Sequence, residues 1–314
     1  MRILFTSVGR RVELMQAFRA AAERLNVELK IYGADITESA PALYFCDKTV
    51  IVPRIKESNY IPYLKEVCEK ENIDALIPTI DTDLLLLAEH KNEFGGTRVV
   101  ISQPDKIRLC RDKRYTADYF NSVGLLSPAS VDSFDDYKMG YPAFIKPKDG
   151  SSSIFAYKAE NEEELKAFSE QVPDYIIQPF IKGTEYTVDI FCDFDGKPVY
   201  ITPRIRQAVR AGEVLKTKIV QDEKIITEMM SLVADYKPCG QITVQMIRQE
   251  STENDYYIEI NPRFGGGAPL SIKAGADSAE AMLRLLNGEK MEYLAGAAED
   301  GAVFSRFDQS VRVK

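Results

Sequence analysis

Tyr256-Tyr257-Ile258-Glu259-Ile260-Asn261-Pro262-Arg263-Phe264-Gly265-Gly266-Gly267 reads as a strand that ends in chemistry. Side chains alternate along a strand, so Ile258 and Ile260 face one way and Glu259 and Asn261 the other. A carboxylate inside an apolar strand, followed at once by Asn-Pro-Arg, is hard to explain structurally. An earlier apolar run, residues 240–247, projects Gln245 opposite to Val244 and Met246. If the two strands are neighbours, Gln245, Glu259 and Asn261 converge as hard oxygen ligands, suited to Mg²⁺ held jointly with phosphates. Arg263, just past the strand, is placed to reach a γ-phosphate, and the three glycines let main chain approach a substrate.

Upstream, Tyr141-Pro142-Ala143-Phe144-Ile145-Lys146-Pro147-Lys148-Asp149-Gly150-Ser151-Ser152-Ser153 delivers Lys146 at a strand end, followed by a small-residue loop. A polyphosphate needs such a fixed cation and main-chain N–H groups that can come close. The loop is not GxxxxGK[ST], because the lysine precedes it, and a hairpin with an exposed lysine is the plainer alternative. Next, residues 175–190 run as an apolar strand into Gln178-Pro179-Phe180-Ile181-Lys182-Gly183 and out as a second strand. Such a kink can leave backbone groups unpaired for the edge of an adenine, and Glu185 beyond it could accept from ribose hydroxyls. Glu185, Thr187 and Asp189 share one face, which by itself also reads as a solvated acidic strand. Between these segments, residues 202–213 carry Arg204, Arg206 and Arg210, read as a basic loop that either holds an anionic substrate or is simply solvated.

The first hundred residues alternate strands (2–6, 28–33, 49–52, 75–78, 98–101) with helices (12–25, 61–71, 82–90). That alternation with short links predicts a doubly wound parallel sheet over 1–103. The loop Thr6-Ser7-Val8-Gly9-Arg10-Arg11 is either an ordinary turn or an anion site using Arg10 or Arg11. Only Gly9 is present, so a GxGxxG dinucleotide fingerprint fails in spite of Asp35. A helix over 105–123 leads into an α+β region with strands at 143–147, 155–158, 175–179, 186–193, 198–202, 240–247 and 256–260. Helices are expected at 161–170, 223–236 and 278–286. Residues 303–308 are a candidate last strand, with a loosely attached tail as the alternative.

Of 314 residues, 45% are apolar and 28% charged, so most of the chain can offset its chain entropy by burial. A net charge of −8 argues against nonspecific nucleic-acid binding, which needs a basic face. One histidine and five scattered cysteines exclude a structural zinc site and a Ser-His-Asp or Cys-His machine. The same scarcity of Cys pairs, and the absence of a leader-like or membrane-spanning apolar run, lead to the expectation of a cytoplasmic protein.

Taken in order, Asp112-Lys113, Lys146, Glu185, Gln245 and Glu259-Ile260-Asn261-Pro262-Arg263 resemble the ATP-grasp superfamily of carboxylate–amine ligases. The nearest resemblance is to proteins like the large subunit of carbamoyl-phosphate synthetase, and it covers about residues 1–285. It implies an N-terminal doubly wound domain (1–103), followed by two α+β subdomains (104–182 and 183–290) that clamp ATP, then a tail (291–314). By resemblance, Lys113 and Lys146 contact phosphates, Asp149 to Ser153 form the phosphate-covering loop with Ser151, Ser152 and Ser153, and Gln178, Pro179, Phe180 and Ile181 form the adenine hinge. Glu185 then takes the ribose, Gln245, Glu259 and Asn261 take Mg²⁺ (or Mn²⁺ in its place), and Arg263 and Lys146 act on the transferring group; Arg210, from the arginine-rich segment rather than the resemblance, is expected to act with them on the acylphosphate or the carboxylate. Two positions depart from the family: Gln178 stands where Glu is common, and Gln245 is a neutral metal ligand.

The activity implied is phosphorylation of a small carboxylate by ATP and attack of an amine on the acylphosphate. Lysines, arginine and metal neutralise the moving charge, so scarce histidine is no objection. Carbamoyl-phosphate-synthetase-like chemistry on bicarbonate or carbamate and a nucleotide-binding regulatory subunit are the alternatives. A NAD-dependent dehydrogenase is the weakest. Small-molecule acid and amine substrates are the expected partners, with no nucleic acid and no membrane, and a homodimer left open.

Overall fold

The computed structural model describes residues 1–150 and 154–313. Its first unit alternates β1 (Arg2–Thr6), α1 (Val12–Leu25), β2 (Lys30–Asp35), β3 (Lys48–Ile51), α2 (Tyr60–Glu71), β4 (Ala75–Pro78), α3 (Leu84–His90) and β5 (Arg98–Val99). The strands lie in the order β3-β2-β1-β4-β5, and every pair is parallel. Both faces are covered: Ile3 and Phe5 of β1 enter one apolar core with Phe18 of α1, while Leu4 enters the other with Leu64 and Leu76. This is the doubly wound sheet expected from the alternation.

The strand order reverses between β1 and β4, so the loops leaving their carboxyl ends border one crevice. The β1–α1 loop brings Arg11 there and the β4–α3 loop brings Asp81 and Thr82. The β1–α1 loop is not an open anion nest. Its Gly9 N–H donates to Asp35 Oδ2 at 2.9 Å and its Val8 N–H to the Ala34 carbonyl at 3.1 Å. Asp35, at the end of β2, thus ties the turn together.

The single helix expected over 105–123 is two: α4 (Pro104–Arg111) and α5 (Lys113–Ser122). Asp112 between them is extended and its carboxylate accepts from the Arg114 N–H at 2.9 Å, an N-cap that restarts the helix and leaves Lys113 at its first position. A small antiparallel sheet follows, from β6 (Ala143–Pro147), β7 (Tyr157–Ala159) and, after α6 (Glu162–Ser169), β8 (Tyr175–Pro179), in the order β7-β6-β8.

The remainder builds a six-stranded antiparallel sheet: β9 (Gly183–Cys192), β10 (Pro198–Arg210), β11 (Glu213–Ile219), α7 (Glu223–Tyr236), β12 (Gly240–Gln249), β13 (Asp255–Asn261), α8 (Ala268–Lys273), α9 (Ser278–Leu286) and β14 (Val303–Ser305). The order is β13-β12-β9-β10-β11-β14. One expectation is corrected here. Residues 202–213 are not a loop: β10 runs through the arginines to Arg210 and turns at Ala211-Gly212 into β11. Charge hid the strand, because Thr202, Arg204 and Arg206 alternate with Pro203 and Ile205. Of the two readings of the tail, the returning strand is the one observed, over Val303–Ser305: β14 pairs with β11, and the Tyr44 hydroxyl donates to the Val313 carbonyl at 2.9 Å.

The parallel unit and the large sheet share a core. Phe18 of α1 packs edge-on against Phe5 at 4.9 Å between centroids and against Phe264 at 5.8 Å. Aromatic pairs of this geometry add to their burial. The residue after Arg263 is therefore anchored in the N-terminal core.

Candidate active site

Two contiguous cavities lie where the three sheets meet. One, of about 580 Å³, opens between the small and large sheets and is lined by Lys113, Lys146, Glu185, Gln245 and Glu259 together with apolar Phe144, Met246 and Ile258. The other, of about 320 Å³, lies between the large sheet and the crevice of the parallel unit, with Arg11, Asp81, Arg204, Glu213, Asn261 and Arg263 in its walls. Thr82, Arg206, Gly212, Gln245 and Glu259 line both and form the junction.

Strand pairing makes the junction. β12 and β13 are antiparallel neighbours with Gln245 opposite Glu259 and Thr243 opposite Asn261, so the three expected ligands do converge. Asn261 Nδ2 donates to Glu259 Oε1 at 2.9 Å. The amide oxygens of Gln245 and Asn261 accept from Arg206 Nη1 and Arg263 Nη2, each at 3.1 Å. Among the described residues no three His, Cys, Asp or Glu side chains cluster as a metal cage. One carboxylate with two amide oxygens nevertheless fits Mg²⁺, which commonly takes one or two protein carboxylates and completes its shell with water and phosphate oxygens. The donor set suits a cation shared with a polyphosphate.

Lys146, next to last in β6, has its side chain buried, and among the described residues no carboxylate lies within ion-pair reach. Burial, and then repulsion by Lys113, pulls its ammonium down to about 8, with Glu259 partly offsetting this. A buried lysine without a counter-ion fits a wall built for an anion. Lys113 Nζ donates to the Gly150 carbonyl at 2.8 Å, and Arg111 pairs with Asp149 at 3.3 Å. These contacts hold the start of the Gly/Ser loop; Ser151, Ser152 and Ser153 lie outside the described residues.

Glu185, exposed at the cavity edge, lies 3.4 Å from Arg206 Nε. Its face of β9 is not a solvated acidic strand, because Thr187 and Asp189 are buried. The hinge segment differs from expectation. Gln178, Pro179, Phe180 and Ile181 line neither cavity. The Gln178 side chain is buried, with Nε2 donating to the Pro128 carbonyl at 3.4 Å, and the Phe180 N–H donates to the Pro142 carbonyl at 2.9 Å. Pairing of Pro179 with Ala143 keeps this backbone inside the small sheet.

Arg210 needs a further correction. It sits at the tip of the β10–β11 hairpin, its side chain 63% exposed, paired with Asp308 at 3.1 Å and outside both cavities. The register shifts between Arg206 and Val209 carry it away from the face that Arg204 and Arg206 share. Arg263 lies in the second cavity, gripped by Asp81 through Nε at 2.9 Å and Nη2 at 2.7 Å. Arg11, 3.6 Å from Glu213, is pulled down from the ordinary guanidinium range by burial and then by Arg263. Sequence reasoning missed Asp81, Thr82 and Glu213. The available signal was Ile80-Asp81-Thr82-Asp83, two acids straight after an apolar strand in a doubly wound unit.

The ATP-grasp domain model matches residues 110–267, half of the chain. The chain belongs to the ATP-grasp family. Residues 3–101 of this ATP-grasp protein also match the PylC-like N-terminal domain. Its sequence is 24% identical over 290 residues to 3-methyl-D-ornithine–L-lysine ligase of Methanosarcina acetivorans, covering 91% of this chain and 75% of that protein. It is 27% identical over 176 residues to carbamoyl-phosphate synthase of Methanobrevibacter smithii, covering 53% of this chain and 46% of that one. The ATP-grasp chain thus spans under half of that synthase. Among solved structures, the biotin carboxylase domain of Hydrogenobacter thermophilus 2-oxoglutarate carboxylase superposes with a TM-score of 0.79 at 16% identity, over 96% of this chain and 73% of that one. That likeness carries the fold. In the described residues no helix is long and apolar enough to cross a membrane.

Proposed function

We propose that this protein is an ATP-dependent ligase that converts a small carboxylic acid to its acylphosphate and joins it to an amine, releasing ADP and phosphate. The observation that carries this reading is the contiguity of the two cavities: a buried Lys146 with no carboxylate partner among the described residues in one, four arginines in the other, and Glu259 between them. An ATP site and an acid site meeting at one carboxylate suit in-line phosphoryl transfer.

Lys113 and Lys146 would neutralise phosphate oxygens, and Glu185 would accept from ribose hydroxyls. Gln245, Glu259 and Asn261 would hold Mg²⁺, or Mn²⁺ in its place, which supplies charge neutralisation on the transferring group when bound. Arg206, on the junction, orients the attacking carboxylate, and Arg263 stabilises the anion that develops. Aligning the carboxylate with the γ-phosphate converts a bimolecular step to a local one, for which no protein acid–base group is required. The acid's oxygen attacks phosphorus, the bond to ADP breaks, and the amine nitrogen then attacks the acyl carbon and expels phosphate, which takes up the proton the amine loses. The family match and the ligase relative support this reading. Five free cysteines fit action in the cytoplasm.

Acid-dependent ADP formation in the presence of hydroxylamine tests it. The amine trap captures any acylphosphate as a hydroxamate, whatever the natural amine. Hydroxamate formed in step with ADP supports the reading. ATP binding without acid-dependent ADP release from any acid points instead to a nucleotide-binding regulatory subunit. Carbamoyl phosphate formed from bicarbonate and ammonia would favour synthetase-like chemistry.

A further inference from the structure

Resting on the ligase reading above, we propose that the acid carries a second anionic group and that Arg204 is the residue that holds it. β10 brings Arg204 into the wall of the 320 Å³ cavity with its side chain 3% exposed. Its Nε donates to Asp189 Oδ2 at 2.8 Å. Asp189 also accepts from Thr243 Oγ1 at 3.1 Å and Ser271 Oγ at 2.6 Å, so the carboxylate is itself fixed and locks the guanidinium in place. Yet among the described residues Arg204 Nη1 is buried without any hydrogen-bond partner, and so is Thr187 Oγ1 in the same cavity wall. Buried polar groups are nearly always satisfied, and one left open beside a cavity calls for an acceptor that enters it.

The other cations of this cavity are already engaged. Asp81 occupies Arg263, Glu213 lies against Arg11, and Arg206 donates through Nη1 to Gln245 and through Nη2 to the Gly212 carbonyl, while its buried Nε makes no hydrogen bond among the described residues and faces Glu185 Oε2 at 3.4 Å. Arg204 differs in position too, because it lines the acid cavity alone, whereas Arg206 belongs to the junction with the ATP cavity. A carboxylate reacting at the junction leaves Arg204 unsatisfied unless the same molecule brings a second one. Gly267 supports this design: a Cβ there would stand 2.4 Å from Arg204 Nη2, so glycine lets the main chain lie against the guanidinium. The substrate class is therefore a dicarboxylate, amino-dicarboxylates included, with one carboxylate activated and the other held in a fork that matches guanidinium geometry.

The test compares acids matched in length: succinate and glutarate, propionate and butyrate, and the ω-amino acids β-alanine and 4-aminobutyrate, each read by ADP release with hydroxylamine. The wild type is expected to favour the dicarboxylates at least fiftyfold in kcat/KM. Arg204→Lys keeps a cation on Asp189 but loses the second nitrogen, and should cut that preference at least tenfold through KM, lower glutarate affinity in calorimetry, and leave ATP affinity unchanged. Gly267→Ala changes neither Arg204 nor Asp189 but pushes the guanidinium aside, and should raise the dicarboxylate KM likewise. Preference for monocarboxylates or ω-amino acids overturns the proposal alone, as does unaltered discrimination in both variants. Absence of ADP release with every acid overturns the ligase reading and this proposal with it.

Discussion

Asp81 and Arg263, 182 residues apart, meet as a two-pronged ion pair, Nε to Oδ1 at 2.9 Å and Nη2 to Oδ2 at 2.7 Å. The pair ties the β4–α3 loop of the parallel unit to the end of β13, and Arg263 Nη2 reaches Asn261 Oδ1 as well, at 3.1 Å. The orientation of Arg263 is thus set jointly by both halves of the protein.

Asp81→Asn removes the charge while keeping the shape. Hydrogen bonds to charged groups contribute about 1.5–3 kcal/mol, and this one is partly exposed, so a loss near ~1.5 kcal/mol is expected in urea unfolding. Turnover of the acid should fall about tenfold, roughly the 1.4 kcal/mol expected from a loosened guanidinium. An unchanged unfolding midpoint together with unchanged kinetics would show that the pair does nothing.

Lys146 gives ATP binding a pH dependence. Its ammonium, normally near 10.5, is pulled to about 8 in the unliganded fold, so above that pH it is largely neutral and must take up a proton to meet a phosphate. ATP affinity should fall by about tenfold from pH 7 to pH 9, and Lys146→Arg should flatten that fall because arginine stays charged. The sign for stability is opposite. Between about 8 and 10.5 the unfolded chain binds more protons, so this group's contribution to stability rises with pH there. Isothermal calorimetry across the range checks the binding; an affinity flat to pH 9 contradicts it.

Glu259→Gln is almost isosteric at a half-buried position, so circular dichroism and unfolding should change little. Loss of the one carboxylate among Gln245, Glu259 and Asn261 should lower kcat by at least ~100-fold, the scale for removing one preorganised charge contact. Wild-type turnover in this variant would remove Glu259 from the metal site.

Asp83, fully buried at the head of α3, collects the hydroxyls of Thr6, Tyr60 and Ser7 on Oδ2 at 2.9, 3.1 and 3.3 Å, while Oδ1 has no partner among the described residues. Burial raises its carboxyl from 3.8 to about 6 in spite of those donors. Between these values the folded state holds the extra proton, so stability contributed by this group is lost as pH rises from 4 to 6. Relative to Asp83→Asn, the wild type should lose about 2 kcal/mol across that window in urea unfolding. Parallel pH profiles for the two proteins would show that Asp83 does not titrate there.

What could be read from the sequence was local. The strand–helix alternation of residues 1–101 dictates a parallel sheet because each crossover needs a helix, and β1, β4, β6 and β8 run over the residues expected. Period-two alternation put Glu259 and Asn261 on one face and Lys146 at a strand end, since side-chain direction in a strand follows from its own backbone. Tertiary structure alone decided which faces were covered. Arg204, Arg206 and Arg210 look alike in sequence, yet the first is buried against Asp189, itself held by Ser271, the cavity junction takes the second, and a bulged hairpin exposes the third. Gln178, expected beside a ligand, faces Pro128 inside the small sheet, while Asp81, unremarked in its loop, reaches Arg263. A charged side chain can be buried only where distant residues supply its partners, and no periodicity within one segment encodes which partners those are.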